Sequence, residues 1–340
     1  MADFYDRSLH FAICEIETVE FLSHTPDMKL SKLCNVSYDP DAKCPKWTKF
    51  LDEIMQGDSE KTRYLQKIAG LSLTGNTHEE CCFILFGATT RNGKSTFIET
   101  LLYMLGDYGV TMRPETLAVK QNADSRTASG DIARLQGVRL VNASEPPKRM
   151  LFDTALLKSM LGRDSITARF LHQSEFTFIP RFKLTVNTNF LPLIGDDTVF
   201  SSGRIRVISF DRHFELHEQN KLLKDQLKQS NELSGILNWC IEGLRLYRKE
   251  GLKPPKAVED ATASYQSDSD KIGNFVSECL IESRGCCSIK AVYERYSEWC
   301  RDCGCGIIFM IRSFWSNIKG HILTCFRMQW LRDGGFCIYP

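Results

Sequence analysis

The stretch FGATTRNGKST, residues 86–96, decides the fold. Ala88 to Ser95 has the spacing of a phosphate-binding loop, with alanine where glycine is usual and Gly87 one residue earlier. The apolar run CCFILF (81–86) before it reads as a buried strand, and Thr96–Leu105 after it has helical periodicity. Strand, glycine-bearing turn and helix in that order form the context such a loop requires. Backbone N–H groups of Gly87, Ala88, Thr89, Thr90, Arg91, Asn92, Gly93 and Thr96, with the positive end of the helix, would surround phosphates. Lys94 would reach the β- and γ-phosphates, and the Ser95 hydroxyl would hold Mg²⁺. ATP and Mg²⁺ are therefore the expected ligands. The plainer alternative is a glycine turn beside a surface lysine.

Working downstream, GVRLVNASEPP (137–147) is an apolar strand ending in a polar residue and a carboxylate. Glu145 there can orient or deprotonate an attacking water, and Ser144 stands where a metal-binding acid is more usual. FKLTVNTNFLP (182–192) alternates apolar and polar residues and delivers Asn187 and Asn189 at its end. Such an amide can sense a γ-phosphate, although asparagine ahead of a proline-bearing loop is equally good turn chemistry. In SSGRIRVISF (201–210), Arg204 and Arg206 alternate at the start of a strand. An arginine supplied across a subunit boundary can stabilise transition-state charge, while either one taken singly is an ordinary surface residue.

The strand candidates Cys81–Phe86, Val138–Ala143, Phe182–Thr188 and Ile205–Phe210 alternate with helices at Thr96–Leu105 and Asp153–Leu161, which predicts a mostly parallel sheet covered by helices. Ahead of it, WTKFLDEIM puts Trp47, Phe50, Leu51, Ile54 and Met55 on one helical face, and DSEKTRYLQKIAG begins with a capping residue and ends at Gly70. Residues 1–76 are thus expected as a helical segment and 77–252 as the α/β domain. The amphipathic helix ELSGILNWCIEGLRLYRKEG (232–251) closes that domain, and the paired prolines of LKPPKA open an expected linker over 253–270. In the last stretch, 271–340, two helical patterns precede two strands around Asp333-Gly334-Gly335, the order of a winged helix.

Composition excludes several classes. With 43% hydrophobic and 25% charged residues the chain is neither disordered nor a coiled coil. A net charge of +1 means that any nucleic-acid contact is local. The N-terminus lacks the basic and apolar regions of a secretory signal, and no apolar run approaches the ~20 residues of a membrane span. A cytoplasmic protein without membrane contact is expected. Most of the 14 cysteines read as buried thiols; Cys300, Cys303 and Cys305 lack the second pair that a zinc site needs.

The four segments in this order, together with LKSMLGRDSITARFLHQSEFTFIP (157–180), resemble the helicase part of the phage and plasmid primase-helicases. That group includes the poxvirus type and belongs to helicase superfamily 3; the resemblance covers about residues 35 to 340. It implies an AAA+-like P-loop ATPase with a winged-helix-like tail, assembled as a hexamer that unwinds DNA with ATP. Carried over residue by residue, Lys94 and Ser95 match the Walker A pair, Glu145 the Walker B acid, Asn189 the sensor and Arg204 the arginine finger. The segment 162–178 matches a hairpin that tracks DNA, with Arg169 and His172, and then Lys158, as contacts to single-stranded or duplex DNA. A separate primase or polymerase would be a partner, since no primer-synthesising motif is found in this chain. A nucleotide-switched origin-binding or loading factor is the competing reading, and a small-molecule kinase a third that leaves the hairpin and the finger unexplained.

Overall fold

The computed structural model describes residues 12–15, 20–23, 31–119, 129–280, 285–302, 311, 314–315, 318, 327–330 and 335–339. The chain divides into two compact units, Met1–Thr262 and Ala263–Pro340.

The first unit opens with an antiparallel pair, β1 (Ala12–Glu15) and β2 (Glu20–Ser23), which the helical expectation for 1–76 did not contain. Helix α1 (Pro45–Met55) buries Trp47, Phe50, Leu51, Ile54 and Met55, the face its spacing foretold. Its N-cap, Cys44, makes no side-chain cap; instead Glu232 accepts the Trp47 N–H at 2.8 Å. Asp58 caps α2 (Ser59–Leu71) through the Lys61 N–H.

The α/β part follows in the order β3 (Cys82–Phe86), α3 (Lys94–Leu105), β4 (Gly109–Met112), α4 (Gly130–Ala133), β5 (Leu140–Ser144), α5 (Thr154–Leu161), a hairpin of β6 (Ile166–Ala168) and β7 (Phe176–Phe178), β8 (Lys183–Thr188), α6 (Thr198–Ser201) and β9 (Ile205–Ser209). Strands β4, β5, β8, β3 and β9 lie side by side in that order, all parallel. The loop-bearing strand β3 is therefore flanked by β8 and β9 and lies one strand from the edge. Every residue of β8 is buried, as expected of a strand covered on both faces.

Helices α7 (Leu223–Leu227) and α8 (Ser230–Glu250) complete the covering layer, and Gly251 ends α8 at φ 68°. A Cβ on Gly70 of α2 would stand 2.1 Å from the Leu244 nitrogen of α8, and one on Gly243 would stand 2.0 Å from the Gln66 oxygen. The two helices thus touch backbone to backbone, which only glycine permits. This contact draws the expected segments 1–76 and 77–252 into one unit. Trp47 is the keystone of the shared core: it stacks on Phe97 of α3 at 5.5 Å and meets Trp239 of α8 edge-on at 5.6 Å.

The linker expected over 253–270 is instead mostly helix α9 (Lys256–Ser269): Gly251 has already ended α8, and the Pro254-Pro255 pair lies just ahead of the next helix, where proline is tolerated. In the second unit, α10 (Lys271–Cys279), β10 (Gly285–Ser288) and α11 (Ile289–Asp302) precede β11 (Arg327–Trp330) and β12 (Gly335–Tyr339). The strands form an antiparallel sheet in the order β10-β12-β11, a strand more than the terminal hairpin read from the sequence. Tyr296, Trp299 and Phe314 are core residues around Phe275, not surface groups available to bases. Cys303, Cys305 and Cys325 lie outside the described residues, and among the described residues no cluster of metal-ligating side chains occurs.

Candidate active site

The site sits where β3 runs into α3. Gly93, at φ 85°, is the N-cap of α3, and a Cβ there would meet Ile54 of α1 at 2.4 Å. The loop is thus pressed against the N-terminal helices, leaving no room for a side chain at its last residue.

Lys94 is buried, and its ammonium donates to the Gly87 carbonyl at 3.3 Å and to Asn92 Oδ1 at 3.0 Å. Burial pushes its pKa down to about 8, opposed by the negative charge of Glu145. Asn92, also buried, donates in turn to the Thr89 carbonyl at 2.6 Å and so braces the loop from within. No sequence rule marked Asn92 beyond its place in the motif.

Asparagines at the end of β8 support the loop from the sheet side. Asn187 Nδ2 donates to Ser95 Oγ at 3.2 Å, and Asn189 Nδ2 donates to the carbonyls of Gly87 at 2.8 Å and Thr89 at 2.5 Å. Sequence reasoning gave the sensor position to Asn189 and none to Asn187, yet both amides reach the loop. In an extended strand, residues two apart share a face, which is the signal that makes them a pair.

Neighbouring β5 brings up the acid. Glu145 is exposed, has φ 52°, and donates its backbone N–H to the Asn187 carbonyl at 2.7 Å. Left-handed backbone at a glutamate is uncommon and turns the carboxylate away from the strand direction. Ser144, beside it, accepts from Asn142 Nδ2 at 2.7 Å, and Asn142 Oδ1 accepts from Thr185 at 3.0 Å. Ser95, Ser144 and Glu145 offer only oxygen donors, which suits a hard cation such as Mg²⁺ that retains several waters.

A strap after β9, absent from the sequence reading, closes the other side. The Phe210 N–H donates to the Phe86 carbonyl at 2.7 Å and the Phe214 N–H to the Arg91 carbonyl at 3.0 Å. His213 Nδ1 meets the Thr90 carbonyl at 2.8 Å; since a carbonyl only accepts, the proton is on Nδ1. Between this strap, the loop and α1 lies a cavity of about 520 Å³ walled by Phe50, Arg91, Gly93, Thr96, Phe214 and Leu223.

Arg204 lies at the opposite edge of the sheet. Its carbonyl accepts the Cys82 N–H at 2.8 Å, where β3 begins, whereas the loop starts where β3 ends. A five-residue strand is about 16 Å long, so this guanidinium does not reach the loop of its own chain. It is held by Glu80 at 3.0 Å and by the Lys158 carbonyl at 3.3 Å. Arg206, its alternate, is a structural residue, bonded to Tyr64, Glu79 and the Leu252 carbonyl.

Segment 162–178 contains an antiparallel hairpin, with Thr167 opposite Thr177. Phe170 stacks on Phe176 at 6.0 Å, Leu171 is 70% exposed at the tip, and His172 follows at φ 59°. Arg169 is half-buried at the tip, its N–H on Ser129. Lys158 is not on the hairpin: α5 carries it, paired with Asp196 at 2.6 Å and Thr198 at 2.7 Å.

Comparison with known proteins adds family context. Residues 12–56 match the model described as D5 N terminal like, and residues 85–204 match a family of unknown function, DUF5906. A helicase-named protein of Acanthamoeba polyphaga mimivirus is 29% identical over 84% of this chain and 32% of its own length. A helicase-named protein of Frog virus 3 is 28% identical over 68% of this chain and 25% of its own length. The chain thus spans about a third or less of these curated relatives. Among solved structures, the C-terminal region of NrS-1 (305–718) aligns with a TM-score of 0.54 at 12% identity, covering 91% of this chain and 79% of that one, which bears on fold alone. These matches support the resemblance read from the sequence, to a D5-type primase-helicase family.

Proposed function

We propose that this chain is the ATP-hydrolysing motor of a superfamily 3 DNA helicase, an AAA+-like P-loop ATPase that works as a hexameric ring in viral, phage or plasmid replication. One observation carries the reading: loop 87–93, Lys94, Ser95, Glu145, Asn187 and Asn189 converge at one edge of a parallel sheet ordered β4-β5-β8-β3-β9. In that order the asparagine-bearing strand lies directly beside the loop strand and the acid-bearing strand is the next one beyond it, so that acid and amides sit at the same end of the sheet as the loop.

In the proposed mechanism, N–H groups of the loop and the N-terminus of α3 hold the triphosphate, and Lys94 exchanges its bonds to Gly87 and Asn92 for phosphate oxygens. Mg²⁺, held by Ser95 with Ser144 and Glu145 close by, would neutralise charge on the phosphates. Glu145 orients the attacking water, and Asn189 links the γ-phosphate position to the loop. The 520 Å³ cavity is of a size to take base and ribose. Arg204, beyond reach of its own loop, acts on the nucleotide of the adjoining subunit. The exposed hairpin tip, with Arg169 and His172, contacts DNA, and a ring needs few contacts per copy because all copies line one channel. Lys158, already ion-paired, supports that surface rather than meeting DNA. Among the described residues no helix is long and apolar enough to cross a membrane, and we place the motor in the host cytoplasm.

The test is ATP hydrolysis with and without single-stranded DNA, with particle size followed by light scattering and strand separation measured on a forked duplex. DNA-stimulated turnover and unwinding by a ring-sized particle is the expected result. Assembly and turnover without unwinding would replace the motor with the loading-factor reading, and DNA-independent turnover by a monomer would overturn both.

A further inference from the structure

The first residues of β9 meet an unusual turn. Arg204 and Arg206, two apart, share one side of the chain, whereas consecutive residues in extended backbone point to opposite sides. Glu79 and Glu80 are consecutive, yet Glu79 serves Arg206 at 3.1 Å and Glu80 serves Arg204 at 3.0 Å. The backbone resolves this at Glu80 itself, which sits at φ 45°, in the left-handed region that costs free energy for any residue except glycine. A carboxylate is thus held at a strained position, facing a residue that has no partner at its own active site.

Glu80 does more than neutralise. Its Oε2 accepts from Arg204 Nη2, while Nη1 of the same guanidinium donates to the Lys158 carbonyl at 3.3 Å. Two bonds to different nitrogens fix the plane of a rigid, five-donor group, and among the described residues no other hydrogen bond from it is found. Arg163 approaches the other oxygen of Glu80 at 3.9 Å and touches His78, so the carboxylate is itself steadied. The side chain of Arg204 remains partly exposed.

We infer that Glu80 is a positioning residue: it presents Arg204, in a fixed orientation, to the nucleotide bound by the neighbouring subunit. This rests on the proposed role of Arg204 as a trans-acting finger. Misplacing such a group by about 1 Å costs on the order of a hundredfold in rate, while an arginine finger as a whole is worth about 10³-fold or more. Removing Glu80 should therefore cost part of the finger's contribution and leave nucleotide binding intact.

The experiment compares Glu80→Ala, Glu80→Gln and Arg204→Ala in the full chain, with melting temperature and particle size as controls. Glu80→Ala is expected to lower kcat by about tenfold to a hundredfold with KM within about twofold, and Glu80→Gln, whose amide oxygen still accepts from arginine, to keep most of the rate. Mixing Glu80→Ala with Lys94→Ala subunits should raise turnover above either alone, since intact loops then meet intact Glu80–Arg204 pairs. A full-rate Glu80→Ala beside an inactive Arg204→Ala overturns the inference and leaves the finger standing. A slow Glu80→Ala that mixing does not restore also overturns it, because Glu80 would then act within its own subunit. A full-rate Arg204→Ala removes the finger and the inference together, and a wild-type chain without turnover on any DNA removes the proposed function as well.

Discussion

Lys94 offers a proton count that reports directly on phosphate binding. Buried and bonded only to neutral oxygens, its ammonium has a pKa pushed down to about 8, against 10.5 for an ordinary lysine. A triphosphate placed on it favours the charged form and raises the pKa again, so binding must take up a proton wherever the nucleotide-free lysine is neutral. At pH 7 about nine tenths of the free sites are already charged and uptake is about 0.1 proton; at pH 8.5 only about a quarter are charged and uptake is about 0.75 proton. The same linkage weakens affinity about tenfold between pH 7 and pH 9, or ~1.4 kcal/mol. Titration calorimetry of an unhydrolysed ATP analogue in two buffers of different ionisation enthalpy measures the uptake, since the γ-phosphate is fully ionised at pH 8.5. Glu145→Gln, which removes the charge opposing desolvation, should move the affinity loss to lower pH. In the nucleotide-free chain the folded pKa lies below the unfolded one, so stability rises between about pH 8 and 10.5, where the unfolded lysine still holds the proton that the folded one has lost. A buffer-independent heat at pH 8.5, or affinity flat from pH 7 to pH 9, would refute the buried-lysine argument.

Other expectations follow from single contacts. Gly70→Ala forces a methyl into the α8 backbone and should destabilise the first unit by about 2 kcal/mol or more, read as a lowered midpoint in urea; an unchanged midpoint would mean that α2 and α8 do not touch as described. Arg206→Ala strands Glu79 and the Leu252 carbonyl and should cost about 3 kcal/mol of stability with little effect on nucleotide affinity. Arg169→Ala at the hairpin should weaken DNA binding and lower the slope of log affinity against log salt by about 1, while basal ATP turnover is unchanged; an unaltered slope would move the DNA contact elsewhere.

Much of the framework was legible because it rests on period and punctuation. Four of the five strands of the parallel sheet and the apolar face of α1 were readable from alternation and helical spacing, and α3 was readable too, although it starts at Lys94, two residues ahead of the Thr96 that periodicity indicated. Strand β4 escaped because Gly109–Met112 is four residues long with one buried residue, too little for any pattern. Helix α9 escaped because two prolines read as a break, while proline is also well suited to a helix start. At the site, the loop was readable as a motif and the asparagines as strand-end amides, but the bonds they make were not: Asn187 reaches the Ser95 hydroxyl, and His213 and Phe214 reach loop carbonyls, each across a long separation that leaves no local signature. The edge on which Arg204 lies follows only from strand direction and neighbour order, which emerge when the sheet closes.

The glycine seam between α2 and α8 bears on how this protein is made. Its two halves, Gly70 and Gly243, emerge from the ribosome on either side of the whole parallel sheet. Until α8 is synthesised, the apolar flank of α2 and the Trp47 side of α1 have no cover, and the loop against Gly93 has only a loose backing. At a synthesis rate of about 5–20 residues per second, that exposure lasts on the order of ten seconds or more. The nucleotide site of a nascent chain is therefore assembled late and all at once, so that chains halted ahead of α8 should be handled by chaperones and retain no nucleotide, rather than persist as partly competent motors.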